Sequence, residues 1–330
     1  MKKLAQIIGA DLSKSTIDLF YAGSQNHIKI KNSTAGFKEL LDWLSMHKVN
    51  LRTVVLVMEC TGYYSFHFEN FLHRHHIRFA KVVALAIKKS LGLVRGKNDK
   101  IDAQRIARYG SEKFDTLVFQ KPQDPILQRL QMLHSTRERL VRHRASLICA
   151  VKEYRVVLKE SDPIIRSQQH LIKDFTKQIK EMDQAIQNQI NESGESLKNN
   201  FKLLTSIKGV GKVVATATII KTKNFVSFKN GRKFSCYCGS APFEHSSGKS
   251  IRKKTRISHL ADKRMKTLLT QSAKTAIQYD KELKDYFQRR TEMGKSKKST
   301  INVVRNKIIN RMFAVIKRQT PFVEHYLKTA

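Results

Sequence analysis

The chain of 330 residues has no run of eighteen apolar residues, so no segment is long enough to cross a bilayer as a helix, and Met1-Lys2-Lys3 opens directly into a short strand pattern. A cytoplasmic protein with no membrane partner is expected. Cysteine is scarce and scattered, at Cys60, Cys149, Cys236 and Cys238. Cys236-Tyr237-Cys238 lacks the spacing of a zinc knuckle and has no second Cys/His pair nearby, which excludes a zinc site and a disulfide framework. Gly248-Lys249-Ser250 invites a nucleotide-binding P-loop, but Phe243 stands where that loop needs glycine. Acids form the deficit that says most. Against 63 Lys+Arg there are 27 Asp+Glu, a formal net charge of +36, far more than solubility needs and characteristic of a chain that binds a polyanion. Residues 201–330 alone carry 30 Lys/Arg and 7 Asp/Glu, a net of +23. Nucleic acid is the leading partner.

Four of the few acids occupy places that suggest chemistry. Asp11 ends the apolar run Leu4–Ala10, and Glu59 ends Val54–Met58. Asp99 and Asp102 lie three apart, which puts both carboxylates on one face of a helix. Hard oxygen ligands gathered in this way suit Mg²⁺, with Mn²⁺ as a substitute, and paired Mg²⁺ ions suit phosphodiester chemistry. Strand signals at Leu4–Ala10, Ile17–Ala22 and His27–Lys31 precede a helical period at Phe37, Leu40, Leu41 and Leu44. A strand at Val54–Val57, a helix at Tyr64–His75, a strand at Arg78–Val83 and a further helix complete the order of an RNase H-like α/β core. In that core the first strand, the fourth strand and a late helix bring carboxylates to one edge. Asp18, Asp42, Asp115 and Glu69 lack strand-end placement and read as solvated surface acids, and His73, His75 and His76 as an exposed helix end.

Long helices follow. Ile126, Leu130, Leu133, Arg137, Leu140, Arg144, Leu147, Val151, Tyr154 and Leu158 step by fours and threes, as in a coiled-coil seam. Ser161-Asp162-Pro163 breaks the pattern, and Ile172, Phe175, Ile179, Met182 and Ile186 resume it, so an antiparallel hairpin over about 125–192 is expected. The two seam arginines require a partner acid or nucleic acid. The expected domains are 1–120 (RNase H-like), 121–195 (helical hairpin) and 196–330 (mainly helical). Leu203–Ala215 reads as helix, Gly-x-Gly turn, helix, a helix-hairpin-helix-like element whose backbone N–H groups can meet phosphate, with Lys208 and Lys212 beside it. Gly239–Ser250 reads as a polar loop, followed by Arg252, Lys253, Lys254, Arg256, Lys263 and Arg264. With Lys249 these are candidate nucleic-acid contacts. A serine beside glycine in so cationic a loop is either a nucleophile or an exposed turn residue. Phe225, Phe228, Phe234 and Tyr237 suit base stacking and core packing equally.

Gly9-Ala10-Asp11-Leu12-Ser13-Lys14, Glu59-Cys60-Thr61-Gly62 and Arg95–Ala103 resemble the RuvC-like domain of the DEDD insertion-sequence transposases, a family that includes the Piv-type DNA invertases. Leu204–Ala215, Gly239-Ser240-Ala241-Pro242, Ser246-Ser247-Gly248 and Arg256-Ile257-Ser258 resemble its second domain, and Ser258–Asp262 departs from the commonest pattern. The resemblance implies a prokaryotic, nucleoid-associated DNA recombinase. Asp11, Glu59, Asp99 and Asp102 would bind Mg²⁺, and Ser247, with Ser246 as the alternative, would attack DNA to give a 5′-phosphoserine. It further implies target and donor duplex DNA, a structured bridge RNA as guide, and a homo-oligomer, dimer or tetramer. The alternatives are a Piv-like protein-only invertase and a RuvC-like nuclease for branched DNA.

Overall fold

The computed structural model describes residues 6–60, 62–92, 96, 98–122, 124–247 and 251–324; for 244–247, 251–254 and 256 it describes the backbone. The chain forms two compact units, 1–123 and 124–330.

The first unit is a five-stranded mixed sheet between helices. Its strands are β1 (Ile7–Leu12), β2 (Thr16–Tyr21), β3 (Asn26–Lys31), β4 (Val55–Glu59) and β5 (Arg78–Val82), in the order β3-β2-β1-β4-β5. The first three form an antiparallel meander, and β4 and β5 run parallel to β1. This is the RNase H-like order read from the sequence. Period-two alternation sorts the strands' side chains between two cores. Ile8, Ala10, Leu12, Leu56 and Met58 pack with Phe37, Leu40 and Leu44 of α1 (Thr34–Met46) and with Phe68 and Leu72 of α2 (Phe66–Arg74). Trp43 is buried there, edge-on to Tyr21. A short α3 (Ala84–Ser90) follows β5. On the other face, Ile7, Val55, Val57 and Phe20 meet Ala103, Ile106 and Ala107 of α4 (Asp99–Glu112). Gly9 sets that contact: a Cβ there would lie 2.1 Å from the Ala103 carbonyl oxygen, so the helix rests directly on β1.

The second unit opens with α5 (Pro125–Tyr154) and α6 (Pro163–Asn191). Each starts with an Asp N-cap, Asp124 or Asp162, followed by Pro at the first helical position. The two pack as the expected hairpin. Its seam arginines are answered within the chain: Arg137 pairs with Asp183, and Arg144 donates to the Thr176 hydroxyl at 3.3 Å. Leu130, Leu133, Ile186 and Ile190, at the hairpin's base, share a core with the helices that follow. These are α7 (Glu195–Thr205), α8 (Lys212–Thr222), α9 (Gly231–Tyr237), α10 (Lys263–Tyr279), α11 (Lys281–Glu292) and α12 (Lys297–Arg318). Phe234 is fully buried against Phe228 and Phe313, and Phe225 packs on Phe313, so these phenylalanines belong to the core, whereas Tyr237 is exposed. The segment read as a polar loop is partly a β-hairpin, β6 (Pro242–Ser247) against β7 (Ile251–Ile257). With almost no apolar residue, Arg252–Arg256 gives no period-two signal of the kind that betrays a half-buried strand. Among the described residues no helix is long and apolar enough to cross a membrane.

Candidate functional site

Three elements bring four carboxylates together at one edge of the sheet. Asp11 is the second-last residue of β1 and Glu59 the last of β4. Asp99 and Asp102 form the first turn of α4, where Asn98 caps the helix by accepting from the Ile101 N–H at 2.7 Å. Acids are favoured there by the helix dipole. Because α4 lies on the face that Gly9 and Asp11 share, its first turn reaches the Asp11 end of β1. Burial, and then the charges of Asp102, Asp99, Glu59 and Asp18, push the half-buried Asp11 carboxyl up to about pH 6. No Lys or Arg among the described residues forms an ion pair with Asp11.

This crowding of hard oxygen donors around a carboxylate that resists ionisation fits a divalent cation, whose charge would relieve the repulsion. The side chains do not close on a common point: among the described residues no three Asp, Glu, His or Cys groups stand close enough to hold one ion. Two internal cations account for part of this. Lys29 Nζ lies 3.3 Å from Asp99 Oδ2, and Arg105 Nη1 lies 3.0 Å from Asp102 Oδ1. Arg105 also donates to the Gly96 carbonyl at 2.8 Å, tying α4 to the segment before it.

Asp18, expected on the surface, is 4 % exposed. It lies opposite Asp11 in the β1–β2 register and opposite Lys29 in the β2–β3 register, so the three share one face. His27 Nε2, at 2.8 Å, and Lys29 Nζ, at 3.3 Å, hold it. Glu69 is likewise drawn inward, with Lys81 at 2.6 Å. Asp42 and Asp115 are exposed, as expected.

In the second unit Ser246 and Ser247 end β6, opposite Arg252 and Ile251 of β7. Their side chains, those of Arg252, Lys253, Lys254 and Arg256, and the whole of Lys249 lie outside the described residues. Ahead of the hairpin, the Gly239–Ala241 turn is packed beneath α12. Asp262, where the chain departs from the family pattern, caps α10 through the Met265 N–H at 2.9 Å and binds Lys221 and the Tyr237 hydroxyl. Lys263 is exposed, whereas Arg264 pairs with Glu138 at 3.2 Å. Lys208 is held by Glu324. Gly211, the N-cap of α8, has no side chain to satisfy the first-turn N–H groups, and that helix start opens on a cavity of about 430 Å³ lined also by Arg137, Lys180 and Lys212.

Two family models match the chain. A DEDD-type transposase model covers residues 8–161, and that of the "Transposase IS116/IS110/IS902 family" covers residues 201–288. The chain is 29 % identical over 329 residues to the "Pilin gene-inverting protein" of Moraxella bovis, an alignment covering 96 % of this chain and 97 % of that protein. The protein of the same description from Moraxella lacunata gives the same identity and coverage. A "Putative transposase" of Sinorhizobium fredii is 26 % identical over 255 residues, covering 68 % of this chain and 62 % of that protein.

Proposed function

The chain belongs to the DEDD-type transposases of insertion sequences, and on that premise we propose that it is a site-specific DNA recombinase of the pilin-inverting kind, cutting and rejoining DNA without need of a guide RNA. The full-length likeness to two gene-inverting proteins favours this over an RNA-guided insertion enzyme. It also favours it over a stand-alone nuclease, whose chemistry would need the first unit only.

The observation that carries the chemistry is the half-buried Asp11, its carboxyl raised to about pH 6 among the charges of Asp102, Asp99 and Glu59. In this reading those four residues hold Mg²⁺, or Mn²⁺ in its place, and Lys29 and Arg105 release Asp99 and Asp102 when they do. A bound divalent ion supplies Lewis-acid polarisation of phosphodiester oxygens. Ser247 is the proposed nucleophile. Its hydroxyl oxygen bonds to the 5′ phosphorus, the P–O3′ bond breaks, and the 3′ oxygen leaves carrying a proton. The energy of the broken bond is kept in the serine ester, and attack by another strand's 3′ hydroxyl on that ester restores the serine. Two duplexes must be held at once, which calls for a dimer or tetramer. The cationic residues Lys212, Lys249, Arg252, Lys253, Lys254, Arg256 and Lys263 are the proposed phosphate contacts.

The test is a covalent protein–DNA adduct that survives denaturant. Wild-type protein with Mg²⁺ and DNA carrying its recombination sites should form it, Ser247→Ala should bind DNA without forming it, and mass spectrometry should place DNA on Ser247. An adduct formed by Ser247→Ala would move the role to Ser246 or remove the serine chemistry altogether. RNase-treated protein should recombine at the full rate; dependence on a structured RNA would restore the guided mechanism.

A further inference from the structure

Arg305, on α12, is 7 % exposed, and among the described residues no carboxylate pairs with it. A guanidinium has five N–H donors, of which two have acceptors here: Nη2 donates to Asn302 Oδ1 at 2.8 Å and Nη1 to Thr270 Oγ1 at 3.3 Å. Its Nε is buried without a partner. Acids of the flanking helices are committed elsewhere: Asp262 to Lys221, Asp280 to Arg311, and Glu282 to Arg311 and Lys307. Cys238 could serve only as a thiolate, and burial together with Asp262 pushes its thiol far upward, so it stays neutral. Lys266, half-buried on α10, feels Arg305 as a like charge, and Thr270, which accepts from Arg305, donates to the main-chain carbonyl of Lys266 at 2.7 Å, so Arg305 lies against the turn of α10 that carries Lys266. Two cations without a counter-ion in a partly desolvated place oppose folding unless an anion joins them.

The surroundings tie this place to the hairpin that carries Ser247. Asn302, Arg305 and Asn306 stand on one face of α12, at i, i+3 and i+4. Asn302 and Asn306 both donate to the Ser240 carbonyl, at 2.8 and 2.9 Å, two residues before β6 begins. Ser240 Oγ and Asn306 Oδ1 are also buried without partners. Donors and acceptors left open around an uncompensated charge mark a place built for something besides packing.

We infer that Arg305 and Lys266 form an anion site that takes one backbone phosphate of bound DNA, beside the turn that leads into β6. The inference rests on the DNA-recombination reading above. The phosphate neutralises the pair and occupies open N–H groups of Arg305, and Asn302 passes its position on to the Ser240 turn.

The test is the salt dependence of duplex DNA binding by the full-length protein, wild type against Lys266→Gln, Arg305→Gln and Arg305→Lys. Each neutralised phosphate releases about one counter-ion, so between about 50 and about 200 mM salt each Gln variant should lose about threefold less affinity than the wild type. Arg305→Lys should keep the wild-type slope. Wild-type slopes in both Gln variants would overturn the site, as would a lowered melting temperature in Arg305→Gln with the slope unchanged, the mark of a purely structural arginine. If Arg305→Gln does not fold, Lys266→Gln decides, since its side chain is half-exposed. A slope change with structured RNA but not with DNA would overturn the assignment to DNA. Noncovalent binding does not require Ser247, so this titration and the adduct experiment can fail separately.

Discussion

Asp11 in the sheet unit and the buried acids of the helical unit live in opposite surroundings. In the helical unit the acids that sit between elements meet cations: Asp183 with Arg137, Asp262 with Lys221, Asp280 with Arg311, Glu324 with Lys208. At the edge of the sheet Asp11 feels four other acids and pairs with no Lys or Arg among the described residues, and its carboxyl is raised to about 6. Paired charges in the first group hold helices to one another, whereas the repulsion at Asp11, whose neighbours Asp18, Asp99 and Asp102 are matched by Lys29 and Arg105 while it is not, destabilises the fold that contains it. Like charges gathered at such a cost mark the place where something else must bind. Arg305 is the mirror case, a buried cation that no carboxylate among the described residues pairs with.

The contrast is sharpened first by removing one acid from each group. Asp11→Ala should lower DNA cleavage by on the order of 10²–10³-fold, with DNA affinity equal to wild type or higher, because negative charge is lost near a polyanion. Normal cleavage by this variant in Mg²⁺ would dissolve the distinction. Asp280→Ala removes an acid 3 % exposed that both pairs with Arg311 and caps α11. It should destabilise the fold by about 3–5 kcal/mol, read by chemical denaturation, while the protein that remains folded still forms the DNA adduct.

A smaller effect comes from the seat of α4. Gly9→Ala forces a methyl into the Ala103 carbonyl and should cost about 1–3 kcal/mol, weakening Mn²⁺ binding as the first turn of α4 is displaced. Unchanged Mn²⁺ affinity would show that the contact between β1 and α4 does not position the acids.

The smallest effect concerns pH in the metal-free protein. With a folded-state value of about 6 against an ordinary 3.8, Asp11 contributes stability in its protonated form that is complete below about pH 4 and lost as pH rises through 6. Asp11→Asn should therefore gain melting temperature relative to wild type across that window and keep the gain above it. A constant difference from pH 4 to pH 7 would contradict the raised carboxyl.

What the sequence made legible followed from pattern. Apolar runs ending in Asp11 and Glu59 announced two strands that carry acids to one edge, and the threefold spacing of Asp99 and Asp102 announced a helix start. The observed β1 continues through Leu12, so Asp11 lies inside the strand and not after it. Asp18 reads from sequence as a surface acid and is buried, because its burial depends on hairpin register, where a one-residue slip exchanges the faces of a strand. Arg305 escaped notice because its isolation exists only once α10 and α12 have packed. The β6–β7 hairpin, almost entirely polar, offered no periodicity to read.

Proton release on metal binding tests the central claim most directly. If the crowded acids around Asp11 are a divalent-metal site, Mg²⁺ added at pH 6 should expel about half a proton per chain from Asp11, and none at pH 8, where that carboxyl is already ionised. Asp11→Asn should release none at either pH. Calorimetry in buffers of different ionisation enthalpy gives the number. Mg²⁺ binding without proton release at pH 6, or with equal release from Asp11→Asn, would contradict the account.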